Sequence, residues 1–284
     1  MNRPNERIAH ANGVDLCVET FGDPADPAIL LVMGSSASMD WWEEEFCQRL
    51  AAGRRLVIRY DHRDTGRSVS YEPGAPPYTL HDLAGDAMGL LDVLGPARAH
   101  LVGVSMGGAI AQLAALDHPD RVASLTLIST SPSGRDPDLP DMSEETTAEF
   151  AVVSPDWSDR TAVIDYQLHL ARVSASRSRP FDEEAIRDVA GRSFDRTTNV
   201  ASSMTNHHVM NGGGRWRERL GELDLPTLVI HGTDDPVLPY GHALALAREI
   251  PRAELLPLDQ MGHELPRRLW DVVVPAILAH TSAR

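Results

Sequence analysis

The sequence predicts an α/β protein: a mainly parallel, twisted sheet flanked by helices, with a helical cap inserted late in the chain. Three observations predict it. Continuous apolar runs at 28–33, 56–60, 99–103, 125–128 and 227–231 have the pattern of strands covered on both faces. Helix-like segments at 41–52, 80–94, 106–116 and 243–250 alternate with them, and that alternation is the rhythm of parallel pairing. Between 132 and 220 the rhythm breaks, with Pro132, Pro137, Pro140 and Pro155, acidic clusters, and helical patterns such as 161–172 and 181–189. Structureless stretches of that length are uncommon in compact domains, so the segment reads as a cap. The expected organisation is core 1–131, cap 132–220 and returning core 221–284.

Taken in order, Val14 to Phe21 alternates like a half-buried strand, and Gly-Asp-Pro-Ala-Asp-Pro at 22–27 is a turn-rich connection to the next strand. The chain is therefore expected to open on a hairpin. The later strands and helices follow as above, with a further strand-like run at 253–257 and a last helix ending near His280.

With 284 residues, 42% hydrophobic and 24% charged, the chain has the composition of an ordinary globular protein. About three-quarters of its unfolded surface can be buried at this size. The net charge is −15 and all 26 basic residues are arginine. Without lysine there is no Walker-type phosphate loop, no Schiff base and no kinase-type strand lysine. The acidic balance and scattered arginines argue against nucleic acid as a partner. Cys17 and Cys47 are isolated, as expected of a reduced protein. The N-terminal residues lack a signal-peptide run and no apolar stretch is long enough to span a bilayer, so no membrane partner and a cytoplasmic location are expected.

The chemistry centres on residues 101–108, where an apolar strand ends in Gly103-Val104-Ser105-Met106-Gly107 and passes into a helix. Gly-x-Ser-x-Gly at a strand-to-helix turn is a candidate nucleophile elbow. Its serine takes a strained conformation, and the flanking glycines permit the close approach. A serine hydroxyl is a weak nucleophile, so it needs a histidine to take its proton and an acid to orient that histidine. After the late strand, Gly232-Thr233-Asp234-Asp235-Pro236 offers two carboxylates in one turn. Among the histidines that follow, His242 falls in a first helical turn and His280 at a helix end. His263 lies in a Gly-containing loop that can reach Ser105. An oxyanion hole needs two backbone N–H groups, one from the residue after the nucleophile, Met106, and one from the loop after an early strand, residues 33–38.

These motifs resemble the α/β-hydrolase fold family. In that family the acid stands three residues after such a glycine, shortly before a small apolar residue and a proline; this implies Asp235, with Asp234 a solvated or capping residue. The resemblance also implies Ser35 N–H as the second oxyanion donor. Met33 stands where the family commonly has the histidine of His-Gly, which narrows the subfamily without removing the main-chain donor. Residues 31–34, 60–68, 103–107, 261–266 and 277–281 are similar to the methylesterases of aromatic polyketide biosynthesis, the aclacinomycin methylesterase group in particular. The similarity covers about 14–130 and 224–284. Within 61–68 the charged residues and Gly66 are expected to build a hydrogen-bonded turn beside the site, with no chemistry assigned.

The resulting expectation is a cofactor-independent serine hydrolase acting on a small-molecule ester, apolar or aromatic, with no metal. Ser105, Asp235 and His263 are catalytic, Ser35 and Met106 bind the oxyanion, and Gly34, Trp41, Trp157, Met204, His207 and Met210 line the substrate pocket. Residues 103–108 do not read as a dinucleotide fingerprint. His207-His208 lacks ligand spacing and is read as structural or at the pocket edge. Serine at the nucleophile position disfavours haloalkane dehalogenase or epoxide hydrolase chemistry. The alternatives are a C–C bond hydrolase or perhydrolase using the same triad, and a catalytically silent binding protein on a hydrolase scaffold.

Overall fold

A computed structural model describes residues 6–134 and 136–282. Among these residues eight strands, β1 (Glu6–Ala11), β2 (Val14–Phe21), β3 (Ala28–Val32), β4 (Leu56–Tyr60), β5 (Ala99–Val104), β6 (Val122–Ile128), β7 (Thr227–Gly232) and β8 (Ala253–Leu258), form one sheet. Its order is β1-β2-β4-β3-β5-β6-β7-β8. From β4 to β8 every pairing is parallel, whereas β1–β2 and β2–β4 are antiparallel.

The opening hairpin is not the one expected. Its turn is Asn12-Gly13, both at positive φ (49° and 77°), and it joins β1 to β2. Positive φ at both central positions matches the right-handed twist of the flanking strands. The 22–27 connection instead carries the chain across, so that β2 pairs with β4 and β3 lies on the far side of β4.

Helices cover both faces because the strand residues alternate between them. Leu30, Val32, Ile58 and Leu101 face a cluster with α2 (Leu80–Leu94), α3 (Met106–Asp117) and α8 (Gly241–Glu249). Ile29, Leu31, Val57, Val102 and Ile230 face the other side, packing on α1 (Glu44–Ala52) and α9 (Trp270–His280). The helix predicted at 41–52 starts later, at Glu44, because a 3-10 turn at Met39–Trp41, capped by the Ser38 side chain, precedes it.

Among the described residues, four α-helices stand between β6 and β7: α4 (Glu144–Phe150), α5 (Arg160–Ser174), α6 (Glu183–Arg196) and α7 (Val200–Val209). Asp159 and Asp182 accept from N–H groups of the first turns of α5 and α6, satisfying donors that helix starts leave open. α7 reads Val-Ala-Ser-Ser-Met-Thr-Asn-His-His-Val, in which Ala and Met are outnumbered by weak helix formers, so the sequence pattern does not reveal it. Its stability comes from the contacts it makes with the core, described below. Among the described residues no helix is long and apolar enough to cross a membrane. Cys17 and Cys47 are free thiols, both buried.

Candidate active site

The site is assembled from loops at the C-terminal ends of the parallel strands, where open α/β sheets place ligands. At the end of β5, Ser105 has φ 53° and ψ −120°. That strained geometry is held by hydrogen bonds to both sides of the residue. Ser105 N–H donates to Ile128 O (3.0 Å), and Ser105 O accepts from Gly108 N–H (2.9 Å) and Thr130 Oγ1 (2.7 Å). A Cβ on Gly103 would lie 2.3 Å from Gly107 O, and one on Gly107 would lie 2.1 Å from Val32 O. Both positions therefore exclude every other residue. The turn aims the N-terminus of α3, with N–H groups that lack intrahelical acceptors, past Ser105. Met106 is the first of these residues.

The loop after β3 lies directly over the serine. Gly34 is buried, and a Cβ there would sit 3.5 Å from Ser105 Cβ. Met33 O accepts from His62 Nε2 (2.9 Å). Ser35 and Met106 are both half-buried. Ser36 adopts φ 61°, a conformation that non-glycine residues occupy only under constraint.

Asp235 and His263 meet across the ends of β7 and β8, with His263 Nδ1 2.8 Å from Asp235 Oδ2. Asp234 is turned elsewhere and accepts from Ser176 Oγ (3.3 Å). The Asp235 carboxylate is fully engaged. Its Oδ1 accepts from the N–H groups of Val237 (2.9 Å) and Leu238 (2.8 Å). Its Oδ2 also lies 3.3 Å from His231 Nε2, which is in turn 2.8 Å from Leu238 O. Burial would raise the Asp235 carboxyl, but the charge of His263 and the hydrogen bonds from His231 and His263 hold it well below the usual carboxylate range. For His263 burial favours the neutral ring, yet Asp235 more than offsets this and raises its pKa above the ordinary value. An imidazole so oriented, with Nδ1 committed to the carboxylate, has Nε2 left to exchange a proton.

The cap contributes to this geometry. His263 N–H donates to Ser174 O at the end of α5 (2.8 Å), and a Cβ on Gly262 would strike Ser176 N at 2.3 Å. From α6, Arg196 reaches into the core, bonding Glu6 (3.0 Å), Asp40 (3.1 Å) and Asp61. Asp61 also accepts from Met39 N–H (2.8 Å) and Arg67 N–H (3.0 Å), so the 61–68 turn is indeed a hydrogen-bonded brace.

The other pocket candidates are dispersed in role. Trp41 is half-buried in the 3-10 turn after the 33–38 loop. Trp157 packs edge-on against Tyr166 at 5.6 Å, Met204 receives Gln167 Nε2 at 3.6 Å, and Met210 packs against the core. His207 is buried, with both ring nitrogens spent on main chain: Nδ1 accepts from Ser36 N–H and Nε2 donates to Arg63 O, each at 2.9 Å. His231 and Arg196 escape sequence reasoning. His231 reads as the end of an apolar strand, and Arg196 as one scattered arginine beyond the 181–189 helical pattern.

The alpha/beta hydrolase fold family matches residues 27–266. The rhodomycin D methylesterase of Streptomyces sp. (strain C5) is 34% identical over 98% of each chain. That of Streptomyces peucetius is 32% identical, again over 98% of each. Among solved structures, an esterase from Exiguobacterium antarcticum has a TM-score of 0.79 at 20% identity, covering 97% of this chain and 99% of that one, a likeness of fold. With the family match spanning both halves of the sheet and relatives at 34% and 32% identity along nearly the whole length, the chain belongs to the α/β-hydrolase fold family and is a hydrolase.

Proposed function

We propose that the protein hydrolyses a carboxylic ester through an acyl-enzyme on Ser105, and that its substrate is the methyl ester of a polycyclic aromatic polyketide. The observation that carries the first part is the Asp235–His263 pair at 2.8 Å, in the chain order that follows a strained serine elbow. Ser105 Oγ attacks the acyl carbon while His263 Nε2 takes its proton. The N–H groups of Met106 and Ser35 receive the negative charge on the carbonyl oxygen. Collapse of the tetrahedral intermediate breaks the acyl C–O bond, and His263 returns the proton to the leaving alcohol. A water molecule, deprotonated by His263, attacks the acyl-enzyme in turn. The carboxylic acid leaves and Ser105 recovers its proton. Asp235 keeps the imidazole in the required tautomer and stabilises its charged form.

The substrate class is supported by the two full-length relatives, both named as methylesterases of rhodomycin D. The test is a panel of p-nitrophenyl esters and rhodomycin D, with Ser105→Ala as control. Methanol release from rhodomycin D is expected. The variant is expected to lose kcat by a factor on the order of 10⁶ while staying folded, as for a triad acting as one unit. Brisk cleavage of simple esters without methanol release would remove the polyketide assignment. Unchanged turnover by a folded Ser105→Ala would remove the mechanism.

A further inference from the structure

The 33–38 loop is held from the cap, and three of its bonds converge on Ser36. Ser36 N–H donates to His207 Nδ1 (2.9 Å), Ser36 O accepts from Ser203 Oγ (3.2 Å), and Ser36 Oγ meets His208 Nε2 (3.1 Å). All three partners stand on α7. Ser36 is the residue at φ 61°, next in the chain to Ser35. A backbone strained in this way persists only where its surroundings over-determine it. Here those surroundings belong to the cap. The ring that accepts from Ser36 N–H is itself anchored through Nε2 to Arg63 O and packed edge-on against His62, with centroids 5.9 Å apart. His62 in turn holds Met33 O, so two facing histidines grip the loop at both ends of Gly34-Ser35.

We infer that His207 is a positioning residue for the oxyanion hole: by accepting the Ser36 N–H from the cap, it sets the orientation of the neighbouring Ser35 peptide above Ser105. The same bond withdraws Ser36 N–H from any part in binding the oxyanion. Only a neutral ring can accept at Nδ1 while donating at Nε2. Burial, assisted by the nearby His62, pushes the His207 pKa down to about 3, so the ring stays neutral across the working range. The cap thereby sets the geometry of the acyl-transfer centre. This inference rests on the acyl-enzyme reading above.

The test compares His207→Asn with His207→Gln. The asparagine Oδ1 occupies nearly the place of the imidazole Nδ1 and keeps an acceptor for Ser36. Glutamine reaches instead toward the position of Nε2. Ser203→Ala, a milder change on the same helix, removes one further bond to the loop. Each variant is checked by thermal melting and by fluorophosphonate labelling at Ser105. Then kcat, KM and the pH limb of kcat/KM are measured on a p-nitrophenyl ester, together with inhibition by a trifluoromethyl ketone, which adds to serine as an oxyanion.

His207→Gln is expected to lower kcat about 10- to 100-fold, with a parallel loss of trifluoromethyl ketone affinity and little change in KM, because only oxyanion stabilisation is impaired. The pH limb should not move, since the Asp235–His263 pair is untouched. His207→Asn should recover about tenfold of the loss, and Ser203→Ala should lose about two- to fivefold. A folded His207→Gln with wild-type kcat and inhibitor affinity overturns the inference. Equal losses in the asparagine and glutamine variants also overturn it, since they would mark a packing role. A wild-type protein that is not labelled at Ser105 overturns the acyl-enzyme reading and this inference with it, whereas normal labelling of wild type and His207→Gln at equal rates overturns the inference alone.

Discussion

Replacing Arg196 with methionine tests whether the cap is locked to the core by charge. The guanidinium is 8% exposed and serves carboxylates on three separate elements: Glu6 on β1, Asp40 in the 3-10 turn and Asp61 after β4, none above 1% exposed. Methionine keeps the apolar stem but removes the cation. Asp61 then retains the N–H groups of Met39 and Arg67 but loses its strongest partner. Breaking a buried pair by removing one side costs about 3–5 kcal/mol. For 284 residues at about 2.1 cal/mol/K each, the unfolding entropy is about 0.6 kcal/mol/K, so Tm should fall by about 5–8 °C.

The loss should also depend on pH, with a definite sign. Burial already raises the Asp61 pKa above the ordinary carboxylate value, outweighing the attraction of Arg196, and without Arg196 it must rise further. A carboxyl whose folded pKa lies above its unfolded one destabilises the fold where it must ionise, and that penalty is relieved as pH falls through the folded value. Chemical denaturation from about pH 8 down to about pH 5 should therefore show the Arg196→Met deficit shrinking on acidification. A deficit below about 1 kcal/mol, or one that is constant across that range, would refute the reasoning.

Three further outcomes follow from the site. Because Asp235 raises the His263 pKa, kcat/KM should fall on acidification through a limb above the ordinary histidine value of about 6.5; Asp235→Asn should lower kcat about 10⁴-fold, and any residual activity should show the limb shifted to lower pH. His231→Phe should lower kcat/KM about tenfold at unchanged fold, since it removes a polar contact from Asp235 Oδ2; a pH profile and rate identical to wild type would show that His231 only fills space. Gly107→Ala should fail to accumulate as folded protein or melt at least about 5 °C lower, because its methyl would meet Val32 O at 2.1 Å, and a wild-type melting curve would contradict the elbow geometry.

Much of the architecture was legible because its causes are local or periodic. The two-faced burial of β3 and β4 is written in their unbroken apolar runs. The elbow is written in Gly103 and Gly107, one of which guards against a neighbour only four residues away. The order of serine, acid and histidine is carried by turns at strand ends, and the choice between Asp234 and Asp235 came from family resemblance. In the structure that choice corresponds to a difference of direction: one carboxylate faces His263 and the other Ser176.

Sequence alone determined the alternating layers and the positions of the loops that carry Ser105, Asp235 and His263, because strand and helix periodicity and turn chemistry act within a few residues. Tertiary structure decided the rest. The opening hairpin depends on which strand lies beside β2, and the 22–27 turn cannot express that. Arg196 finds Glu6, Asp40 and Asp61, and His207 finds Ser36, across long intervals of chain. Hydrogen bonds and ion pairs between such distant residues leave no spacing in the sequence, since only folding brings the partners within a few ångströms. For the same reason a helix as weakly marked as α7 came to hold the loop above Ser105.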